Sequence, residues 1–417
     1  MSDWVKKKLG DIAKEVRDTY EPNQSEDIPY VGLEHIAQQD LKLVGTGKSS
    51  DTQSTKRKFN SGDILFGSLR PYFRKVVRPK FDGVCSTDIT VIRSKNGVDQ
   101  GFLNYLIASK DFIDHSDKIS SGSRMPRANW KVLEESEWNI PDKETQQKIA
   151  SILSAFDNLI ENNTRRIVIL EEMTRLIYRE WFVHYRYPGA QGSGEQATPG
   201  HENDFLVGSG TELGEVPEGW EIGTIGDLYD VKSGFAFKSK KLVDQGSFGV
   251  IKIGNIQSGD IDVEGVQFIE NDEIPDRASK FKLHPGDVLI AMTGAKVGKV
   301  GIMPKTKNPY YLNQRVGKYF GKNELLKSHL YLYTFLNSRE AQANIEHLAQ
   351  GAAQPNISAT DLKSLKLSIP PDQILNEFEQ VTLPMRDEIL TLRQKNVKLK
   401  ETRDLLLPKL ISGKVGV

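Results

Sequence analysis

The sequence repeats itself, and few folds tolerate that constraint. Trp4 opens WVKKKLGDIAKEV and Trp220 opens WEIGTIGDLYDV, an offset of 216. YVGLEHI (Tyr30 to Ile36) answers VIKIGNI (Val250 to Ile256), and FNSGDILFGSLRPYFRKVV from Phe59 is echoed by LHPGDVLIAMTGAKVGKVG from Leu283, at an offset of 224. Gly122, Pro126, Leu133, Ile140 and Pro141 then fall on Gly351, Pro355, Leu362, Ile369 and Pro370, all at 229. The offset grows only between blocks, as expected when two copies of one fold differ in loop length.

Tyr187 to Val216, rich in Gly, Ser, Glu and Pro, has the composition of a linker. The expected organisation is a first globular domain over 1–141, a long helix over 142–187, a linker over 188–216, a second globular domain over 217–370 and a second long helix over 371–413. Short β-like runs (ITVIRS, GDILFG, FGVIKIGNI, GDVLIAM) and helical stretches from Phe102 and from Leu330 predict mixed α+β domains. The single cysteine, Cys85, excludes disulfide frameworks and multi-Cys metal sites, and the seven His show no metalloenzyme spacing. No metal or cofactor is expected. No 18-residue apolar run occurs, so a soluble, cytoplasmic protein is expected.

From Glu144 to Phe182 there is neither Gly nor Pro, enough for a helix of about 58 Å at about 1.5 Å per residue. Its apolar stripe runs through Ile149, Ile152, Phe156, Leu159, Asn163, Ile167, Leu170, Met173, Ile177 and Trp181. The second copy offers Met385, Ile389, Leu392, Asn396, Leu399, Arg403, Leu406 and Leu410, with Pro384 expected to start the helix. Each stripe could cover its own domain. The preferred reading pairs the two helices as a coiled coil, with Asn163 and Asn396 fixing register.

The two divergent halves, a helix ending REWF, SGTELGEVPEGWE (Ser209 to Glu221), VIKIGNI, QGAAQPNISATDLKSLKLSIPP (Gln350 to Pro371) and LLPKLISGKV (Leu406 to Val415) together resemble the specificity subunits of type I restriction-modification systems. The resemblance covers essentially the whole chain. It departs at PPDQILNEF, which lacks the EQ pair that often opens the second helix. The resemblance implies two pseudo-two-fold-related target recognition domains separated by two long helices in an antiparallel coiled coil. It implies a non-catalytic subunit that reads a bipartite, asymmetric double-stranded DNA target. It also implies docking of two methyltransferase subunits, which would hold the S-adenosylmethionine, and, through them, of restriction and translocation subunits. Ile152, Phe156, Asn163, Ile167, Leu170, Ile177, Ile389, Leu392, Asn396, Leu399 and Leu406 are the expected coiled-coil and subunit-interface residues.

Net charge is no guide, because 56 basic residues cancel 56 acidic ones. Its distribution is. Lys56 to Lys80 carries eight basic residues against Asp63 alone, and Arg277 to Gly321 carries nine against Asp287. Basic windows at related places in both copies suit a shared polyanion. Candidate DNA contacts are Arg70, Arg74, Lys75, Lys296, Lys299 and Arg315 within them. Arg124, Arg127 and Asn129 in SSGSRMPRANWK, and Gln354 and Asn356 in QGAAQPNIS, are further candidates, since Arg can read guanine and Asn or Gln adenine with paired hydrogen bonds. A plain polar loop is the alternative for any one of them. Tyr72, Phe73 and Trp130 are expected to pack inside. GTGKSS (Gly45 to Ser50) lacks the first glycine of a phosphate loop, with Lys42 in its place, and NPYY (Asn308 to Tyr311) lacks the second proline of an adenine-methyltransferase loop. The competing functional class is a DNA-modifying enzyme with its own, undetected active site.

Overall fold

The structure is a computed structural model that describes residues 4–23, 25–95, 97–122, 124–189, 216–263, 265–323, 326, 329–350 and 355–417. The expected linker lies almost wholly outside them, as does Gln354. Contacts gather the chain into two compact units, unit 1 being Met1–Glu161 with Val397–Val417 and unit 2 Asn162–Asn396. Each unit therefore holds one globular domain and a portion of both long helices.

In unit 1 the strand Ile64–Gly67 shows why the domain folds as it does. All four residues are buried, because both faces of the strand are covered. Ile64 and Phe66 join a core with Phe102, Leu106, Phe112, Leu133, Ile149 and Leu153, while Leu65 points the other way to Val31, Phe59, Cys85 and Val91. The antiparallel sheet runs Ala13–Val16, Ile89–Ser94, Ile64–Gly67, Val76–Val77. A second, five-stranded sheet contains one parallel pair, Pro29–Val31 with Gly83–Cys85. Val5–Lys8 pairs with Glu137–Ile140, tying the start of the domain to its end.

Unit 2 repeats the plan. Its sheet runs Tyr229–Ser233, Val316–Gly321, Val288–Ala291, Val300–Ile302, and Val288 and Ile290 face one core while Leu289 and Ala291 face another. The parallel pair recurs as Phe248–Ile251 with Tyr310–Leu312, and the closing pair as Glu221–Thr224 with Lys366–Ile369. A turn-capping aspartate also recurs. Asp63 accepts the Asn60 N–H at 2.8 Å and a two-pronged bond from Arg93, and Asp287 accepts the His284 N–H at 2.7 Å and Lys318 at 2.6 Å.

The long helices are Lys143–Tyr178, called here the central helix, and Asp372–Ile411, the C-terminal helix. The second corrects the sequence reading: it runs through Pro384 instead of starting there. A proline inside a helix removes one backbone bond at a cost of about 3 kcal/mol. That cost is offset by packing, since Phe378, Leu390 and Leu392 on either side are buried. The helices pair antiparallel within each unit. In unit 1, Ile149 and Leu153 share a core with Leu407, Leu410 and Ile411. In unit 2, Ile167 packs on Ile389 and Leu392 with Leu170 alongside, and the Asn163 amide donates to Asn396 Oδ1 at 2.8 Å. The central helix ends in a widened π-type turn, Arg179–Val183, whose Trp181 and Phe182 enter the aromatic core around Trp220, Tyr331 and Phe378.

The seam is not quite the expected stripe. Ile152 is 38% exposed and Leu153 takes its place, and Leu407 is buried more deeply than Leu406. Phe156, Leu399 and Ile177 are half-buried.

Candidate nucleic-acid interface

Each domain builds the same small platform from three loops. In unit 1 the chain leaves Ile64–Gly67, and Ser68 O accepts the Ala128 N–H at 2.9 Å while the Arg70 N–H donates to Pro126 O at 2.7 Å. In unit 2 the chain leaves Val288–Ala291, and Met292 O accepts from Ile357 at 2.9 Å while Gly294 N–H donates to Pro355 O at 2.9 Å. A third bond ties in the turn before the neighbouring strand: Ser68 N–H to Asp88 O at 2.9 Å, and Met292 N–H to Arg315 O at 3.1 Å. Arg70 and Gly294 both sit in the positive-φ region, at 52° and 76°. Glycine adopts it freely, whereas an arginine there stores about 1 kcal/mol or more of strain.

What the platforms display differs. In unit 1, Arg127 is ion-paired with Asp88, and both remain partly open to solvent. At the equivalent positions unit 2 has Asn356 and Arg315, both exposed. They line a groove of about 570 Å³ together with Ser233, Thr293, Gln314 and Ser358. Unit 1 thus offers a neutralised guanidinium, and unit 2 an arginine, an asparagine and a glutamine amide with hydroxyls around them. Such groups can donate and accept in the paired geometry that base edges require.

The other basic candidates are placed differently. Arg74, only 13% exposed at its side chain, donates to Ala108 O at 2.7 Å and lies 3.9 Å from Asp404, and burial lowers its pKa. Lys75 donates to Leu33 O, and Lys296 to Gly254 O at 2.6 Å. Within the same windows Lys56 is buried beside Ser54, Arg57 pairs with Glu15, Lys80 with Glu161, and Lys318 is buried on Asp287. Lys299 is half-buried, Arg124 is exposed, and Asn129 caps the short helix Trp130–Leu133 by accepting the Lys131 N–H at 3.0 Å. Trp130 is buried as expected, but Tyr72 is 42% exposed and rests on Phe73 with ring centroids 4.6 Å apart.

Sequence reasoning missed Asp88, Ser233 and Gln314. Asp88 could have been found from the duplication, because STDITVI and NQRVGKY align and set it against Arg315. The two motif decoys are absorbed by the fold. Gly47–Lys48 is an edge strand with Lys48 paired to Asp27, and Tyr310 and Tyr311 are buried in a strand. Among the described residues, no cluster of three His, Cys, Asp or Glu could hold a metal ion, and no helix is long and apolar enough to cross a membrane.

Residues 1–172 and 217–382 match the sequence profile of the type I restriction modification DNA specificity domain. The chain is 26% identical, over its whole length and 94% of the relative's, to the MjaIX type I restriction enzyme specificity subunit of Methanocaldococcus jannaschii. It is 23% identical, over the whole of both chains, to the HindI specificity subunit of Haemophilus influenzae. Its fold is similar to the crystal structure of a type I restriction-modification S subunit from M. genitalium, with a TM-score of 0.59 at 16% identity over 98% of this chain and 96% of that one.

Proposed function

Because the chain belongs to the family of type I restriction-modification DNA specificity domains, we propose that each of its platforms reads one half of a bipartite DNA target. The observation that carries this reading is the repeated platform itself. Its backbone bonds are the same in both domains, and its exposed side chains differ. A shared frame suits a shared duplex, and different side chains suit two different half-sites. Arg315, Asn356 and Gln314 would read unit 2's half-site; Arg124 and Arg127 would read unit 1's, with Asn129 adding a contact through its free amide N–H groups while its oxygen caps the helix. Arg70 and Lys299 would add contacts nearby, and Gln354 is a further proposed contact. Arg74, Lys75 and Lys296, being engaged with carbonyls, would support the loops that carry the readers.

The chain is the recognition part and not the catalytic one. S-adenosylmethionine would be held by partner methyltransferase subunits, as expected for a type I specificity subunit, and restriction subunits would join through them. Ile169, Met173 and Leu176, all well exposed and spaced four and three residues along the central helix, form an apolar strip that suits such docking. The test is to map methylated sites for the chain assembled with its methyltransferase partners, in parallel with the purified chain alone. Two unlike half-sites from the assembly and no methyl transfer by the chain alone are expected. Methyl transfer by the chain alone, or one continuous target, would contradict the proposal.

A further inference from the structure

In each unit an arginine of the C-terminal helix is ion-paired both with an acid on the central helix and with an acid on the domain. In unit 1 Arg403 is 2% exposed; its Nη1 donates to Asp157 Oδ1 at 2.6 Å and its Nη2 lies 3.8 Å from Asp40. Lys400 donates to Asp40 at 2.8 Å, and the Tyr105 hydroxyl donates to Asp157 at 2.6 Å. In unit 2 Arg393 donates to Glu171 Oε1 and to Gly259 O, both at 2.8 Å, and lies 3.1 Å from Asp260. The Tyr333 hydroxyl donates to Gly259 O at 3.3 Å. Asp40 and Asp260 occupy the same place in the repeated YVGLEHI and VIKIGNI loops, and Tyr105 and Tyr333 the same place in the repeated helices.

The polarity of the clamps is not repeated: at both of them the central helix supplies the acid (Asp157, Glu171) and the C-terminal helix the base (Arg403, Lys400, Arg393), while away from the clamps the exposed Arg166–Glu388 pair, at 2.7 Å, runs the other way. We infer that this polarity, with the Asn163–Asn396 pair, makes the two halves of the chain fit each other and disfavours either half pairing with a second copy of itself. The offset of 229 that relates the helices shows why. If two central helices met in the same antiparallel register, Thr174 would stand where Arg403 does and Glu171 where Lys400 does. Asp40 and Asp157 would then face a third acid with no guanidinium. If two C-terminal helices met, Lys400 would replace Glu171 opposite Arg393. In the seam, Asn163 would meet Ile167 of the second copy, or Asn396 would meet Leu392. A seam asparagine is tolerated opposite asparagine and penalised opposite an aliphatic residue. This inference does not depend on DNA reading. It concerns which helices pair.

The test uses the full chain carrying a protease site within residues 190–215, cleaved after purification. Light and isotopically heavy cleaved preparations are dissociated in urea, mixed and returned to buffer, and native mass spectrometry identifies the pairs. Unlike halves should pair with each other at least tenfold more often than like halves, with light and heavy partners mixed. In the Asn163→Leu, Asn396→Leu double variant the like-half fraction should rise several-fold. A statistical mixture from the wild type, recovery of unpaired halves only, or an unchanged preference in the double variant would overturn the inference.

Discussion

The platforms of unit 1 and unit 2 share three backbone hydrogen bonds and a positive-φ turn, yet at aligned positions one shows an Asp88–Arg127 pair and the other Arg315 and Asn356. The frame is fixed by main-chain groups, which any side chain carries, so the displayed residues are free to change without moving it. At the helix clamps a side chain recurs as well, Asp40 and Asp260, but the helix residues paired with it differ. In the platforms, main chain carries the repeat and the displayed side chains carry the difference.

The two platforms differ most in stability at the positive-φ turn. Gly294→Val forces a β-branched residue to a φ of 76° and should cost about 3 kcal/mol, read as a lower unfolding midpoint in denaturant. In unit 1 the same site runs the other way: Arg70→Gly should relieve strain and stabilise by about 1 kcal/mol. A loss in both variants would show that the two turns are not equivalent.

Helix position 379 sharpens the contrast through pH. Glu379 of unit 2 aligns with Ala150 of unit 1, and both are buried. Burial pushes the Glu379 carboxyl from its ordinary 4.5 to about 7, against the opposing pull of the Tyr331 and Leu330 backbone and Arg386. A carboxyl with a raised folded-state pKa contributes stability that is complete below about 4.5 and is lost as pH rises through 7. Glu379→Gln should therefore raise stability by about 2 kcal/mol at pH 8 and change little at pH 4. Thermal unfolding at the two pH values checks the sign; an equal gain at both would discount ionisation. The smallest expected effect is electrostatic. Asp88→Ala releases Arg127 and should steepen the salt dependence of DNA binding by about 0.9 in slope, toward the cationic character of unit 2. No change in slope would place Arg127 away from the DNA.

The repeat and the α+β character were legible because GDILFG and GDVLIAM are short apolar runs bounded by turn residues; that both faces of these strands are covered came only with the packing around them. The helix pairing was legible from the two stripes and their asparagines. The exact seam was not: Ile152–Leu153 and Leu405–Leu406–Leu407 offer adjacent apolar residues, and periodicity alone does not choose between them. Pro384 misled because local preference was overridden by packing along the whole helix. The basic windows were real in composition, but charge does not encode direction. Arg74, Lys75, Lys296 and Lys318 turn inward to carbonyls or to Asp287.

Whether each platform reads its own half-site is decided by mapping the methylation targets of the assembled enzyme carrying Arg315→Ala. An arginine reading a base is worth about 1–3 kcal/mol of discrimination. Sequence preference should relax at one position of one half-site, with the other half-site unchanged. Relaxation in both half-sites, or a uniform loss of methylation with specificity intact at every position, would contradict reading by separate platforms.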